Sequence, residues 1–179
     1  MRVTVSGLPG SGTSSLAKAI SSRHGYELIS AGEVFRQMAE ERKMDLAEFG
    51  RLAREDPSFD KLIDDRQREN AMKRDDIIVE GRLSGWFVKD ADLKIWLSAS
   101  LQCRVERIID RDQTADKETA LKLTLEREEC EAVRYHNYYS IDISDLSPYH
   151  LVLDSERFGV EELANLVDTA LEIVRKQSD

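Results

Sequence analysis

The chain reads as an α/β fold: a five-stranded parallel sheet with helices on both faces. Three observations predict it. Short apolar runs, Val3-Thr4-Val5, Ile77-Ile78-Val79 and Leu93 to Leu97 among them, alternate with stretches of helical spacing. An uninterrupted apolar run suits a strand buried on both faces, and strand–helix alternation implies parallel pairing. A glycine-rich loop, Gly7-Leu8-Pro9-Gly10-Ser11-Gly12-Thr13-Ser14-Ser15, joins the first strand to the first helix. The length, 179 residues, suits one domain of this kind with a sizeable core.

The elements follow in order. The first strand covers Arg2 to Ser6, and the first helix Ser14 to Arg23, with Gly25 as its C-cap. Tyr26 to Ser30 is the second strand, and a helix runs from about Gly32 to Glu41. Two helices are expected between Asp45 and Lys73. They break at Asp56-Pro57, an N-cap followed by a proline in the first helical position. Ile77 to Val79 and Leu93 to Leu97 are the third and fourth strands. Ser100 opens a helix to about Arg111, and a long polar helix runs from about Asp116 to Tyr138. Tyr149 to Leu153 is the last strand. The final helix spans Val160 to Lys176, where Val160, Leu163, Leu166, Val167, Ala170, Leu171 and Val174 recur at helical spacing.

The bulk composition narrows the function classes. The net charge is −9. That argues against a surface that wraps a nucleic acid polymer. Arginine outnumbers lysine 17 to 9, and guanidinium forks suit phosphate, although solvated helix charge explains most of these residues equally well. Cys103 and Cys130 make neither a disulfide framework nor a metal site. No apolar run reaches the length of a membrane span. The opening Met1-Arg2-Val3 is expected to enter a strand at once, with no signal peptide before it. The expectation is a cytoplasmic protein.

The loop is the first chemical feature. Its glycines let backbone N–H groups converge on phosphate oxygens, and the helix behind adds its own unpaired N–H groups. Residues Gly7 to Ser15 are therefore the candidate ATP site, with Ser14 placed to offer a hydroxyl to Mg²⁺. One position departs from the motif: Thr13 stands where a lysine would reach the β- and γ-phosphates. Glu80 closes the third strand beside the loop, where a carboxylate can orient Mg²⁺ or its waters. Ligands of such sheets bind at the carboxyl ends of strands, which also brings Ser30 and the segment after Leu97 to the site. Arg104, Arg107 and Arg111 share one helix face, as do Arg127, Glu131 and Arg134. Each set reads either as phosphate chemistry or as an ion-paired face, the first with Glu106, Asp110 and Asp112, the second with Glu126, Glu128 and Glu129.

Several of these stretches resemble the nucleoside monophosphate kinases. Ser30-Ala31-Gly32-Glu33-Val34-Phe35-Arg36 is similar to their Ser/Thr-x-Gly-x-x-x-Arg segment, which implies that Ser30, Gly32 and Arg36 line the acceptor site. Glu80-Gly81-Arg82 and the residues up to Ala99-Ser100 resemble bacterial cytidylate kinases, which implies that Arg82 contacts the acceptor phosphate. That family carries an aspartate where this chain has Leu83. The same resemblance implies a lid with catalytic arginines at Arg107 and Arg111. It also matches an Arg-x-x-x-Asp-x-x-Arg pattern to Arg127, Glu131 and Arg134, with the arginines on phosphate and Glu131 accepting from the base amino group.

Taken over most of its length, the chain resembles the archaeal-type cytidylate kinases. The stretches that carry this are Gly10-Ser11-Gly12-Thr13, Ile29 to Arg36, Val79 to Trp86, and Arg134-Tyr135 with Tyr138-Tyr139 and Ile141-Asp142-Ile143. The resemblance implies a core of about 1–30, 76–105 and 145–179, an acceptor-binding insert of about 31–75 and a lid of about 106–140. Asp60, Asp64, Arg66 and Gln67 on the insert are base-reading candidates, with Asp64 and Arg66 included in the acceptor site. The implied activity is transfer of the γ-phosphoryl of ATP to CMP or dCMP with Mg²⁺, by a protein expected to be monomeric. An adenylate- or uridylate-type kinase is the nearest alternative. A nucleotide-binding protein without turnover is the alternative that Thr13 raises.

Overall fold

The computed structural model describes residues 1–44, 48, 49, 52, 58–112 and 116–178, with the side chains at 60, 64, 72, 112 and 178 outside that description. Five strands form one parallel sheet: β1 (Arg2–Gly7), β2 (Glu27–Ser30), β3 (Ile77–Glu80), β4 (Leu93–Ser98) and β5 (Leu151–Asp154), in the order β2-β3-β1-β4-β5. Seven helices connect or cover them among the described residues: α1 (Thr13–His24), α2 (Ala31–Glu41), α3 (Ser58–Met72), α4 (Ser84–Phe87), α5 (Leu101–Asp112), α6 (Lys117–Tyr139) and α7 (Val160–Ser178). The predicted α/β class, with its five parallel strands, is the class observed. The expected break at Asp56-Pro57 lies outside the described residues.

Strand pleating explains why both faces are apolar. Successive side chains point to opposite sides, so each strand feeds two cores. Val3, Val5, Ile78, Leu93, Ile95 and Leu97 pack on one face against Leu16, Ala17 and Ile20 of α1 and Leu163, Ala164, Val167 and Leu171 of α7. Ile77 and Val79 point the other way, onto Val34 and Met38 of α2 and Phe59 and Ile63 of α3. A smaller cluster joins Leu83 to Tyr135 of α6 and to Ile141. Leu83 is thus a core residue, consistent with its apolar character.

The helix ends carry local signals. Gly25 takes the left-handed conformation and its N–H donates to the Ser21 carbonyl. Ser30 caps α2, its hydroxyl accepting from the Glu33 N–H. Asp116 caps α6 through the Glu118 and Thr119 N–H groups. The four-residue α4 has no counterpart in the sequence reading, because one turn is too short to show a helical period. The last strand begins at Leu151, two residues later than predicted. Tyr149 instead follows a turn closed on the Leu146 carbonyl, and its ring is buried against Trp96 at 5.2 Å.

The register aligns the strand ends that matter. Val5 lies beside Glu80, Ser30 beside Glu80, and Gly7 beside Leu97. The chain leaves β1, β2 and β3 on one edge of the sheet, and the glycine loop starts there.

Gly85 in α4 is set by close approach. A Cβ at this position would fall 2.3 Å from Tyr149 Cε1. Gly85→Ala is therefore expected to lower the urea unfolding free energy by about 1–3 kcal/mol, the usual cost of overpacking. An unchanged midpoint would show that the Tyr149 ring turns aside freely.

Candidate active site

The site starts at the loop after β1. Gly10 and Gly12 have φ of 82° and 90°, a region that side chains strongly disfavour. A Cβ on Gly10 would fall 2.4 Å from the Arg104 carbonyl oxygen, so this glycine also lets the loop rest on the backbone of α5. The loop closes on itself through Ser11 N–H to the Leu8 carbonyl at 3.1 Å, and α1 begins with Leu16 N–H to the Gly12 carbonyl.

Thr13, in the lysine position, is buried and donates its hydroxyl to Glu80 Oε1 at 2.7 Å. Ser14 donates to the same oxygen at 3.3 Å. The Glu80 carboxylate, 8% exposed, thus has two hydroxyl donors, and among the described residues no cationic side chain contacts it. Two hydroxyls and a carboxylate form an all-oxygen donor set, which fits a hard cation such as Mg²⁺. Among the described residues no three His, Cys, Asp or Glu side chains form a metal cluster. The buried Gln67 of α3 donates to the Glu80 main-chain carbonyl at 2.9 Å, which brings that helix to the end of β3.

Arg82 and Glu131 meet across the cleft. Arg82 Nη1 donates to the Gly7 carbonyl at 2.9 Å and its Nε to Glu131 Oε2 at 3.0 Å. Arg127 Nε donates to Glu131 Oε1 at 2.8 Å. Burial pushes the Glu131 carboxyl up, but the charges and hydrogen bonds of Arg82 and Arg127 outweigh it and hold it below the usual carboxylate range. Arg134 stacks its guanidinium 5.7 Å from the Tyr135 ring centre. It also lines an open hollow of about 490 Å³ with Glu129, Cys130, Val133, Asn137 and Tyr138.

The α5 arginines meet the loop from the other side. Arg107 donates to the Gly10 carbonyl at 3.4 Å, to Ser155 Oγ at 3.1 Å and to the Ser155 carbonyl at 2.6 Å. Ser155 in turn donates to the Ser11 carbonyl at 2.7 Å. Arg104 donates to the Pro9 carbonyl at 3.1 Å and pairs with Glu128 of α6. The ion-paired alternative for this helix face therefore takes a different form for these two arginines. Arg104 finds its acid on α6, and Glu106 pairs with Lys117. Arg111 is exposed near the end of α5.

Other predicted residues are more dispersed. Ser15 is exposed on α1 behind Ser14. Arg36 is exposed, with a terminal nitrogen 3.8 Å from where a Cβ on Gly32 would lie. Arg66 pairs with Glu41 through both carboxylate oxygens, at 2.8 and 2.9 Å, tying α3 to α2. The side chains of Asp60 and Asp64 lie outside the described residues, as do Gln113 and Thr114 of the expected lid segment of about 106–140. Ser155 was missed by sequence reasoning. It directly follows β5, and the rule that sites gather at strand carboxyl ends was the signal that could have found it.

Residues 2–157 match the model of the cytidylate kinase-like family. The chain is 62% identical to the cytidylate kinase of Methanoregula boonei over 176 residues, covering 98% of this chain and 97% of that protein. It is 61% identical to the cytidylate kinase of Methanospirillum hungatei, covering 98% and 99%. Among solved structures, shikimate kinase from Bacteroides thetaiotaomicron aligns with a TM-score of 0.66 at 14% identity, covering 96% of this chain and 98% of that one. A gluconokinase from Sinorhizobium meliloti aligns with a TM-score of 0.61 at 16% identity, covering 99% and 97%. At these identities the structures speak for the fold alone.

Glu131 makes acid stability a test of the site. A carboxyl with a depressed folded-state pKa adds stability above its unfolded value, near 4.3, and that stability fades as pH falls through the folded value. Glu131→Gln should cost about 3 kcal/mol at pH 7, since two arginines lose a charged partner. The gap from the unmodified protein should narrow below about pH 4. Urea midpoints at several pH values check this, and a pH-independent gap would mean that the Glu131 charge does not matter.

Proposed function

This chain belongs to the cytidylate kinase-like family, and we propose that its cleft transfers the γ-phosphoryl of ATP to CMP or dCMP, giving ADP and CDP or dCDP. The observation that carries this reading is the position of Arg82. One guanidinium touches both the carbonyl of Gly7, in the ATP loop, and Glu131, in the acceptor wall. Donor and acceptor phosphates bound on either side of it would be neighbours.

The residue roles follow from this placement. Backbone N–H groups of residues 7–15 hold the donor phosphates. Ser14 and Glu80 would hold Mg²⁺, directly or through water, and the ion would supply neutralising charge for the transferring group. With Nε and Nη1 of Arg82 committed, its Nη2 edge faces the acceptor phosphate, together with Arg36. Glu131 has acceptor positions left after its two arginine contacts and takes a hydrogen bond from the cytosine amino group. Segment 31–75 is the acceptor-binding insert, and about 106–140 is a lid that brings in Arg107, Arg111, Arg127 and Arg134. Closure excludes water, which would otherwise accept the phosphoryl group. The acceptor phosphate is itself the nucleophile, so no general base is required. The chain works as a monomer in the cytoplasm.

The absence of the loop lysine bears on the donor site. Arg107, already on the Gly10 carbonyl, supplies the missing positive charge together with Arg111 and Arg134 in the closed state. Thr13→Lys should then tighten ATP binding in the absence of acceptor by about tenfold, one charged contact's worth. Calorimetric titration with ATP measures it, and an unchanged affinity would argue against this compensation.

A coupled ADP-release assay with CMP, dCMP, UMP and AMP tests the reaction and separates the cytidylate from the adenylate and uridylate readings. Turnover should be fastest with CMP or dCMP. Arg82→Ala should lower kcat/KM for CMP by about 10- to 150-fold, from a charged contact worth roughly 1.5–3 kcal/mol, and affect ATP binding far less. Equal losses for both nucleotides would remove Arg82 from the acceptor role. No transfer to any monophosphate would favour a binding protein without turnover.

A further inference from the structure

We propose that Arg104 is a positioning residue for the donor loop, and that its grip depends on Glu128, so that the loop's shape is coupled to the docking of α6. The reading that the loop holds ATP is the premise of the kinetic half of this proposal; the structural half stands without it.

Arg104 is buried, with 5% exposure, and every branch of its guanidinium is engaged. Nε donates to the Ala99 carbonyl at 3.2 Å, at the exit of β4. Nη1 donates to the Pro9 carbonyl at 3.1 Å, in the middle of the loop, and to Glu128 Oε1. Nη2 approaches Glu128 Oε2 at 3.5 Å. One side chain thereby joins the sheet, the loop and α6. The main chain of the same residue also supports the loop, because Gly10 rests on the Arg104 carbonyl with no room for a Cβ.

Leu8 lines a small, half-open recess of about 30 Å³ together with Trp96, Leu97, Ser98, Ala99 and Arg104. Hydrogen bonds therefore contribute to the position of the loop here, and Arg104 supplies the one to Pro9. A buried guanidinium in turn needs a counter-charge. Glu128 is the acid that meets it, and Glu128 belongs to α6, not to the sheet. Undocking α6 would remove the counter-charge and loosen the hold on Pro9.

The geometry also demands arginine. Three acceptors lie in different directions around one planar fork, whereas an ammonium is a compact point donor on a flexible stem. Arg104→Lys keeps the charge and loses the fork. Glu128→Gln keeps the shape and loses the counter-charge. Neither residue faces the reacting phosphates in the proposed roles, so both act through the loop.

The first measurement is amide hydrogen exchange over residues 7–13 in the unliganded protein, which needs no activity. Arg104→Lys and Glu128→Gln should each speed exchange there by about tenfold or more, while β1 and β3 exchange as before. The second is steady-state kinetics with ATP and CMP varied separately. KM for ATP should rise about tenfold in both variants, with KM for CMP within twofold. The double variant should be no worse than Arg104→Lys alone, as expected for two residues acting through one contact. Glu128→Asp should restore part of the loss. Unchanged loop exchange in both single variants would overturn the proposal, as would additive losses in the double variant. If Arg104→Lys fails to fold, Glu128→Gln decides alone, since its side chain is partly exposed at the helix surface. Faster loop exchange without any ATP turnover in the unmodified protein would uphold the positioning role and overturn the kinase reading instead.

Discussion

A loop that aims its N–H groups at an anion must turn carbonyls the other way, and those carbonyls need donors of their own. This constraint organises the site. The Gly7 carbonyl accepts from Arg82, the Pro9 carbonyl from Arg104, the Gly10 carbonyl from Arg107, and the Ser11 carbonyl from Ser155. The donors come from the ends of β3 and β5 and from α5. Each of these four carbonyls is thus met by an element that leaves the sheet at its carboxyl edge. The loop and the strand ends support each other.

Placing cations behind the loop has a second consequence. Buried guanidinium groups require carboxylates, and α6 provides them three residues apart, as Glu128 for Arg104 and Glu131 for Arg82. Both acids fall on the same helix face. The helix that carries Arg127 and Arg134 is therefore tied to the donor loop by two ion pairs. Glu80 receives the opposite treatment. Its partners Thr13 and Ser14 are neutral hydroxyls, which suits the role proposed for it toward a cation. Charge in this site is sorted: arginines and their acids hold the loop in place, and one acid beside the loop meets no basic side chain among the described residues.

Much of this is legible in the sequence, because the signals are local. Uninterrupted apolar runs marked strands buried on both faces, and pleating then made two cores inevitable. Gly10 and Gly12 marked a loop whose φ values only glycine takes readily. Gly25 marked a helix end through its missing side chain. Glu80 stood out as an acid closing an apolar strand. The failures were equally local in origin. The one-turn helix α4 had no period to read, and Tyr149 looked like a strand residue because a buried aromatic suits either a strand or a turn.

Residue order and spacing by themselves determined the five-stranded parallel sheet, the phosphate loop and its missing lysine, and the helix faces that carry the arginines. They could do so because hydrophobic period, capping and backbone preference act within a few residues along the chain. The partner of each arginine was decided by the folded chain. Helical spacing set Arg104 and Arg107 on one face beside Glu106, yet Arg104 meets Glu128 and Pro9, Arg107 meets Ser155, and Glu106 meets Lys117. Contacts between Arg104 and Pro9 join residues 95 positions apart. Which acceptor a long side chain reaches depends on how helices dock against the sheet, and that docking is a sum over the whole core, which no local pattern contains.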